Sequence, residues 1–224
     1  MLPAGFYEEI INCNRCGRLL EWAGTRKGKR KGFLNEEYWG KPVPGFGDPD
    51  GSVLIVGLAP GAHGANRTGR PFTGDAAGVL LYSALYRAGF SNKNVSKDRF
   101  DGLELKDVFI TNVVRCAPPE DKPDRNEMSA CLNYLKKELE SLKGIKVVLV
   151  LGQKAFDRIK IILKEKGMET GHLKFVHGAE YSFNDKFPLL KVSYHTSKRN
   201  YVRGIISDDK LDKIFVEIKS RLRE

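Results

Sequence analysis

Four short runs of apolar, largely β-branched residues decide what this chain can fold into: Ser52 to Leu58 (SVLIVGL), Val108 to Val114 (VFITNVV), Lys146 to Leu151 (KVVLVL) and Leu189 to Tyr194 (LLKVSY). A run that is apolar at consecutive positions has no solvent face, so each predicts a strand buried on both sides. Between them lie amphipathic helices. Met128, Cys131, Leu132, Leu135 and Leu139 form one stripe at helical spacing, and Leu211, Ile214, Phe215, Ile218 and Leu222 form another. Asp75 to Ala88 carries Leu81, Leu85 and Ala88 on one side and is closed by Gly89; Gln153 to Lys166 carries Phe156, Ile159 and Leu163. Pro123 and Asp124 with Glu127 three residues on give a capping-box start to the helix that follows, and Ser207 with Asp208 and Asp209 opens the last one. The alternation predicts an α/β fold, three layers with a central, mainly parallel sheet. No repeat, low-complexity tract or linker divides the chain, so residues 1–224 are expected to form a single domain.

Thirty-eight Lys and Arg against 28 Asp and Glu leave a formal charge of +10, which asks for nucleic acid, an acidic surface or solvent to face it. A hydrophobic share of 41% excludes disorder over most of the chain. No apolar run approaches the roughly 20 residues that span a bilayer, and Met1 to Gly5 does not lead into an apolar export signal. A cytoplasmic protein without membrane contact is expected. Part of the charge is concentrated: Arg26, Lys27, Lys29, Arg30 and Lys31 precede Phe33, Tyr38, Trp39 and Phe46, which are spaced by Gly and Pro. This composition predicts a loop-rich basic flap at about residues 13–46.

The four cysteines are Cys13, Cys16, Cys116 and Cys131. The Cys-Asn-Arg-Cys bracket puts two thiols on one short loop, which suits a metal centre better than a pair of disulfides. A reducing compartment points the same way. Zinc, an iron–sulfur cluster and inert buried thiols all remain compatible with the spacing.

The unusual polar and glycine-rich segments follow strands. Gly57 to Asp75 follows the first, Asn112 to Pro119 begins at the end of the second, and His195 to Asn200 follows the fourth. Ligands of open α/β sheets bind beyond the carboxyl ends of the strands, so these three segments predict one pocket. A phosphate loop is excluded: Gly64 and Gly69 have its spacing, but Arg70-Pro71 stand where Lys-Ser/Thr is required, and no G-x-G-x-x-G occurs.

The string GLAPGAHGANRTGRPFTGDAAG, residues 57–78, resembles the first motif of the uracil-DNA glycosylase superfamily in its family 5, or b-type, branch. HTSKRN, residues 195–200, resembles that superfamily's closing H-x-S-x-x-N motif, and TNVVRCAPP with the other cysteines resembles the cluster-bearing families 4 and 5. The resemblance runs from about Cys13 to about Asn200. It implies hydrolysis of the N-glycosidic bond of uracil and other deaminated bases such as hypoxanthine in DNA, with the target nucleotide flipped out of the stack. It also implies a structural [4Fe–4S] cluster on Cys13, Cys16, Cys116 and Cys131, with zinc as the alternative. Phe72 would stack on the base, Asn112 would bond its polar edge, His195 would donate to the base oxygen that gains charge, and Gly57, Leu58 and Ala59 would line the pocket. Ala59, an Ala that families 4 and 5 share, stands where other branches have Asp or Asn to handle water; Leu58, where family 4 is acidic, favours family 5.

Two roles stay open between chemistry and structure. Asp75 is the nearest carboxylate on the same loop as Ala59, where it would position water, and equally a preferred N-cap for the helix that starts there. His63 has the surroundings of an exposed turn residue, and His172 and His177 have no partner spacing. Arg26, Lys27, Arg30, Lys198, Arg199 and Arg203 are the expected phosphate contacts, with Thr196 and Ser197 near the strand. A monomer acting on single- or double-stranded DNA is expected. The competing readings are a family 4 enzyme restricted to uracil and a metal-containing nucleic-acid-binding protein without catalysis.

Overall fold

The computed structural model describes residues 2–27 and 29–223; Met1 of the opening segment, Gly28 of the basic run and Glu224 lie outside the described residues. Along the chain run α1 (Phe6–Ile11), α2 (Gly17–Gly24), β1 (Phe46–Gly47), β2 (Val53–Gly57), α3 (Ala65–Thr68), α4 (Ala76–Arg87), β3 (Val108–Asn112) and α5 (Arg125–Ser141). They are followed by β4 (Val147–Leu151), α6 (Gln153–Glu165), β5 (Glu180–Tyr181), β6 (Leu189–Ser193), α7 (Lys198–Val202) and α8 (Asp208–Arg223). The sheet order is β1-β3-β2-β4-β6-β5. The four inner strands are parallel, and the two-residue strands β1 and β5 close the edges antiparallel.

All four expected strands form, each one or two residues shorter than its apolar run. Leu58, Val113 and Val114 leave the strands but keep one more turn of pairing, with the Val113 and Val114 N–H groups donating to Gly57 O at 2.9 Å and Leu58 O at 2.8 Å. Side chains alternate between two cores as the pleat requires. Leu54, Val56, Phe109, Val148 and Val150 face Leu132 and Leu135 of α5 and Phe156 and Ile159 of α6. Val53, Ile55, Val108, Ile110 and Leu149 face Leu81 and Leu85 of α4 and Leu211, Ile214 and Phe215 of α8. The result is three layers, helices on both faces of a mainly parallel sheet.

The capping box at Asp124 is formed in full: Glu127 N–H donates to Asp124 Oδ1 and Asp124 N–H to Glu127 Oε2, both at 2.8 Å. The flap is less loop-like than its composition predicts, because α2 occupies its first third. The rest of it lies on the glycine-rich loop. Trp39 and Gly40 N–H donate to Arg67 O and Asn66 O at 3.0 Å, and Asn66 Nδ2 donates to Ala23 O at 3.0 Å. Among the described residues no helix is long and apolar enough to cross a membrane.

Candidate active site

β2 is flanked by β3 on one side and β4 on the other, so the chain direction of travel across the sheet reverses there, and a crevice opens beyond their carboxyl ends. A cavity of about 420 Å³ occupies it, lined by the loop after β2, the end of β3 and the segment after β6. The three segments singled out from the sequence thus meet.

Phe72 is buried and held at φ 51°, a left-handed conformation that a bulky residue rarely adopts. Its ring lies 6.0 Å from that of His195, tilted by 34°. Asn112 ends β3, is buried, and its Oδ1 has no hydrogen-bond partner within the protein. A buried amide oxygen without a donor is destabilising by about 1–3 kcal/mol. Gly57 allows this packing, since a Cβ there would collide with Asn112 Oδ1 and stand 2.7 Å from Phe72 Cζ.

His195 follows β6, with its backbone carbonyl accepting from Asn200 Nδ2 at 2.8 Å, while Ser197 caps α7 by accepting from Asn200 N–H at 3.3 Å. The H-x-S-x-x-N spacing is therefore a local device that fixes the backbone under the imidazole. Burial holds the His195 imidazole below its ordinary pKa, with Asp121 pulling weakly the other way. The ring is neutral at pH 7 and donates from one nitrogen.

Asp75 caps α4: its Oδ1 accepts from Gly78 N–H at 2.9 Å. Its other oxygen fills the space over Gly64, where a Cβ would collide with it. Burial pushes the carboxyl above its ordinary pKa, against the Gly78 and Ala77 N–H groups that pull it down. The cap and the pocket position coexist, since Asp75 also lines the cavity. Leu58 and Ala59 line it too, as do Ser197 and Lys198. Asp121, which belongs to none of the motif strings, is a further lining residue.

The four cysteines surround a second cavity together with Leu19, Arg115 and Tyr134. Arg115 N–H donates to Cys131 Sγ at 3.3 Å. Burial pushes the Cys116 thiol strongly up, raises that of Cys16, and raises that of Cys131 to about 11. Burial acts on Cys13 as well, but hydrogen bonds from Tyr134 and Arg15 outweigh it and leave that thiol lowered. Among the described residues no three His, Cys, Asp or Glu side chains are gathered so as to hold a single metal ion. Four thiols around one cavity fit a thiolate-bound cofactor, and three of them would give up their protons only to one.

Residues 44–219 match the model of the uracil DNA glycosylase superfamily. This chain belongs to that superfamily. It is 41% identical over 214 residues to a type-5 uracil-DNA glycosylase of Thermus thermophilus, covering 96% of this chain and 95% of that protein. A type-5 uracil-DNA glycosylase of Pyrobaculum aerophilum is 39% identical over 216 residues, 95% of this chain and 92% of its own length. A type-4 uracil-DNA glycosylase of Sulfurisphaera tokodaii is 30% identical over 208 residues, 90% of this chain and 79% of its own. The chain stands with the type-5 members of the uracil-DNA glycosylase superfamily.

Several of the expected DNA contacts of this superfamily member have partners within the protein. Arg26 lies over the Trp22 ring at 3.5 Å and donates to Trp22 O and Thr25 Oγ1 at 3.1 and 2.8 Å. Lys27 pairs with Glu37. Both have partners inside the flap, and Lys27 stays exposed. Thr196 is fully buried, and its Oγ1 has no partner within the protein. Arg30, Lys198 and Arg199 are exposed. His63 is half-buried rather than exposed, with Nδ1 2.8 Å from Tyr38 Oη, so it fastens the flap. His177 has partners as well: it stacks on Tyr194 at 5.1 Å and accepts from Tyr194 N–H at 3.3 Å.

Proposed function

We propose that this protein is a DNA repair glycosylase that hydrolyses the N-glycosidic bond of uracil, and of other deaminated bases such as hypoxanthine, in single- or double-stranded DNA, leaving an abasic site. The single observation that carries the reading is the buried Asn112 Oδ1, an acceptor without a donor in a pocket that Phe72 and Leu58 also line. Uracil offers an N–H and a carbonyl side by side, and an amide matches that pair. Phe72 stacks on the flipped base. Neutral His195 donates to the base oxygen on which charge collects as the C1′–N bond breaks, the electrostatic contribution expected to be largest. Water is the co-reactant: its oxygen bonds to C1′ of the sugar, and Asp75 holds it and takes its proton. The bond's electron pair leaves with the base, which is then protonated from solvent. Leu58 in the rim favours the wider base range of type 5 over uracil alone.

Cys13, Cys16, Cys116 and Cys131 would hold a [4Fe–4S] cluster, which supplies a structural crosslink between the flap, the loop after β3 and α5. The resemblance of the four cysteines to the cluster-bearing families, rather than their spacing, favours the cluster over zinc. Lys198, Arg199 and Arg30 contact DNA phosphates, with Ser197 beside them, and Arg26 and Lys27 contribute field more than contact. Residues 1–224 act as one domain and as a monomer, in the compartment that holds the genome. The test is incubation with uracil-containing single- and double-stranded oligonucleotides followed by alkali, with the spectrum of the protein read near 400 nm, on the order of the usual cluster band. Strand breakage at uracil is expected; intact strands with the cluster present would leave the non-catalytic DNA-binding reading in its place.

A further inference from the structure

Arg70, the residue that rules out a phosphate loop, is used by no step above. It is buried and is not one of the residues lining the pocket, yet it stands two positions before Phe72. Its guanidinium joins two parts of the chain. Nε donates to Thr73 Oγ1 at 3.1 Å, on the far side of Phe72, while Nη2 donates to Ser96 Oγ at 2.6 Å and to Asp101 Oδ2 at 2.7 Å. The same group lies over the Phe46 ring, 4.7 Å from its centre. Ser96 and Asp101 belong to the connection between α4 and β3. Asp101 is fixed there by backbone donors, Lys97 and Asp98 N–H on Oδ2 at 2.7 and 3.3 Å and Leu103 N–H on Oδ1 at 2.9 Å. A carboxylate held in this way gives the arginine a rigid anchor.

Phe72 needs such support, because a bulky residue keeps a left-handed backbone only where its neighbours impose it. The imposing contacts lie on both sides of it. Pro71 O accepts from Tyr82 Oη at 3.1 Å and from Thr73 Oγ1 at 3.0 Å, and Gly74 N–H donates to Ser96 O at 3.1 Å. Gly78 leaves room for Phe72 O, which a Cβ there would strike. Thr73 Oγ1 also meets Ser96 Oγ at 2.6 Å, so Arg70, Ser96 and Thr73 close a ring of hydrogen bonds beside the turn.

We propose that Arg70 is a positioning residue for Phe72: its clamp on Thr73, anchored through Asp101 to the connection between α4 and β3, sets the angle at which the Phe72 ring meets the flipped base. This rests on the glycosylase reading and deepens it. Arg70 acts only through the ring, and a small misplacement of a positioned group is enough to slow a reaction. Lysine would keep the charge opposite Asp101, but a single ammonium lacks the planar fork that reaches Thr73, Ser96 and Asp101 together.

The experiment is single-turnover excision of uracil, with enzyme in excess, by Arg70→Lys, Phe72→Leu and the double variant, with melting curves recorded beside the rates. Phe72→Leu is expected to lower the rate constant about tenfold, within the range for one base stacked on an aromatic ring, and Arg70→Lys about fivefold. In the Phe72→Leu background Arg70→Lys should cost less than about twofold, because the ring it positions is gone. Thr73→Val removes the clamped hydroxyl and leaves the Arg70–Asp101 pair; it should lose as much as Arg70→Lys, and Thr73→Ser should restore most of the rate. An Arg70→Lys or Thr73→Val rate within about twofold of wild type, or the same factor lost with and without the Phe72 ring, overturns the role of Arg70. If Arg70→Lys does not fold, the two Thr73 variants, measured in the same two backgrounds, decide. A wild type that excises nothing overturns the glycosylase reading instead.

Discussion

The base pocket and the cysteine cavity sit on the same loop, the one leaving β3, and are finished in opposite ways. In the pocket a buried acceptor, Asn112 Oδ1, is left without a donor, and His195 is kept neutral. Around the cysteines the polar groups are mostly paired: Arg115 N–H reaches Cys131 Sγ, and the buried Arg115 guanidinium pairs with the buried Glu138 at 2.6 Å, its Nε alone lacking a partner. One region holds bonds unmade for a molecule that comes and goes. The other, on the proposed cluster assignment, would be filled once and stay filled. The pocket should therefore yield activity when mutated and the cavity should yield stability.

The largest effect should come from Asn112→Ala and His195→Ala, each expected to lower the single-turnover rate of uracil excision by roughly 100- to 1000-fold, the range for losing a preorganised hydrogen bond to a developing anion. Thermal stability should hold or rise, because Asn112→Ala removes an unsatisfied buried oxygen. Melting curves recorded beside the rates check this. A variant that loses its melting transition together with its activity would erase the contrast between the two regions.

Cys131→Ser should show the reverse pattern. Loss of a ligand from a structural centre belongs to the strongly destabilising substitutions, about 4 kcal/mol or more, which for a chain of this length is a fall in Tm of about 10 °C. The absorbance near 400 nm, on the order of the cluster band, should fall with it. Protein that retains the cluster should excise uracil at a rate close to wild type. If Tm and spectrum are both unaltered, the thiols are ordinary buried side chains and the cavity has no occupant.

The sequence made the frame of both regions legible and the contacts across the chain opaque. Strands β2, β3, β4 and β6 are apolar on both faces and could be nothing else, and the capping box at Asp124 and Glu127 is written in four consecutive residues. Strands β1 and β5 are two residues long, too short for any period to register. The docking of the flap escaped for a different reason. Tyr38 on His63 and Asn66 on Ala23 are single pairings 25 and 43 residues apart, set by tertiary position and leaving no local pattern. Asp121 was hidden because the left-handed turn at Glu120 and Asp121 lacks the glycine by which such turns are found. The motif strings led to Phe72, Asn112 and His195, while their geometry came only from the meeting of three strand ends.

Asp75 tests the contrast most finely, since it is at once a structural cap and a pocket carboxylate. Its pKa is raised above the ordinary 3.8 chiefly by burial, so the fold disfavours the ionised form. Between 3.8 and the folded value the native state binds more protons than the unfolded chain, and stability from this group falls as pH rises through that window. Asp75→Asn keeps an oxygen for Gly78 N–H, since Asn caps as well as Asp, and removes the buried charge. Its Tm at pH 7 should match or exceed wild type. The excision rate at pH 7 should fall by about tenfold, less than a general base usually contributes, because a dissociative reaction asks little of its water. Wild-type activity should decline on acidification as Asp75, whose pKa burial lifts above 3.8, takes a proton, and the variant should lose that decline. Any acid limb left in the variant belongs to His195, whose own pKa burial holds below 6.5. A variant with wild-type rates and an unchanged pH profile would make Asp75 a cap alone, and water handling would pass to another group of the pocket.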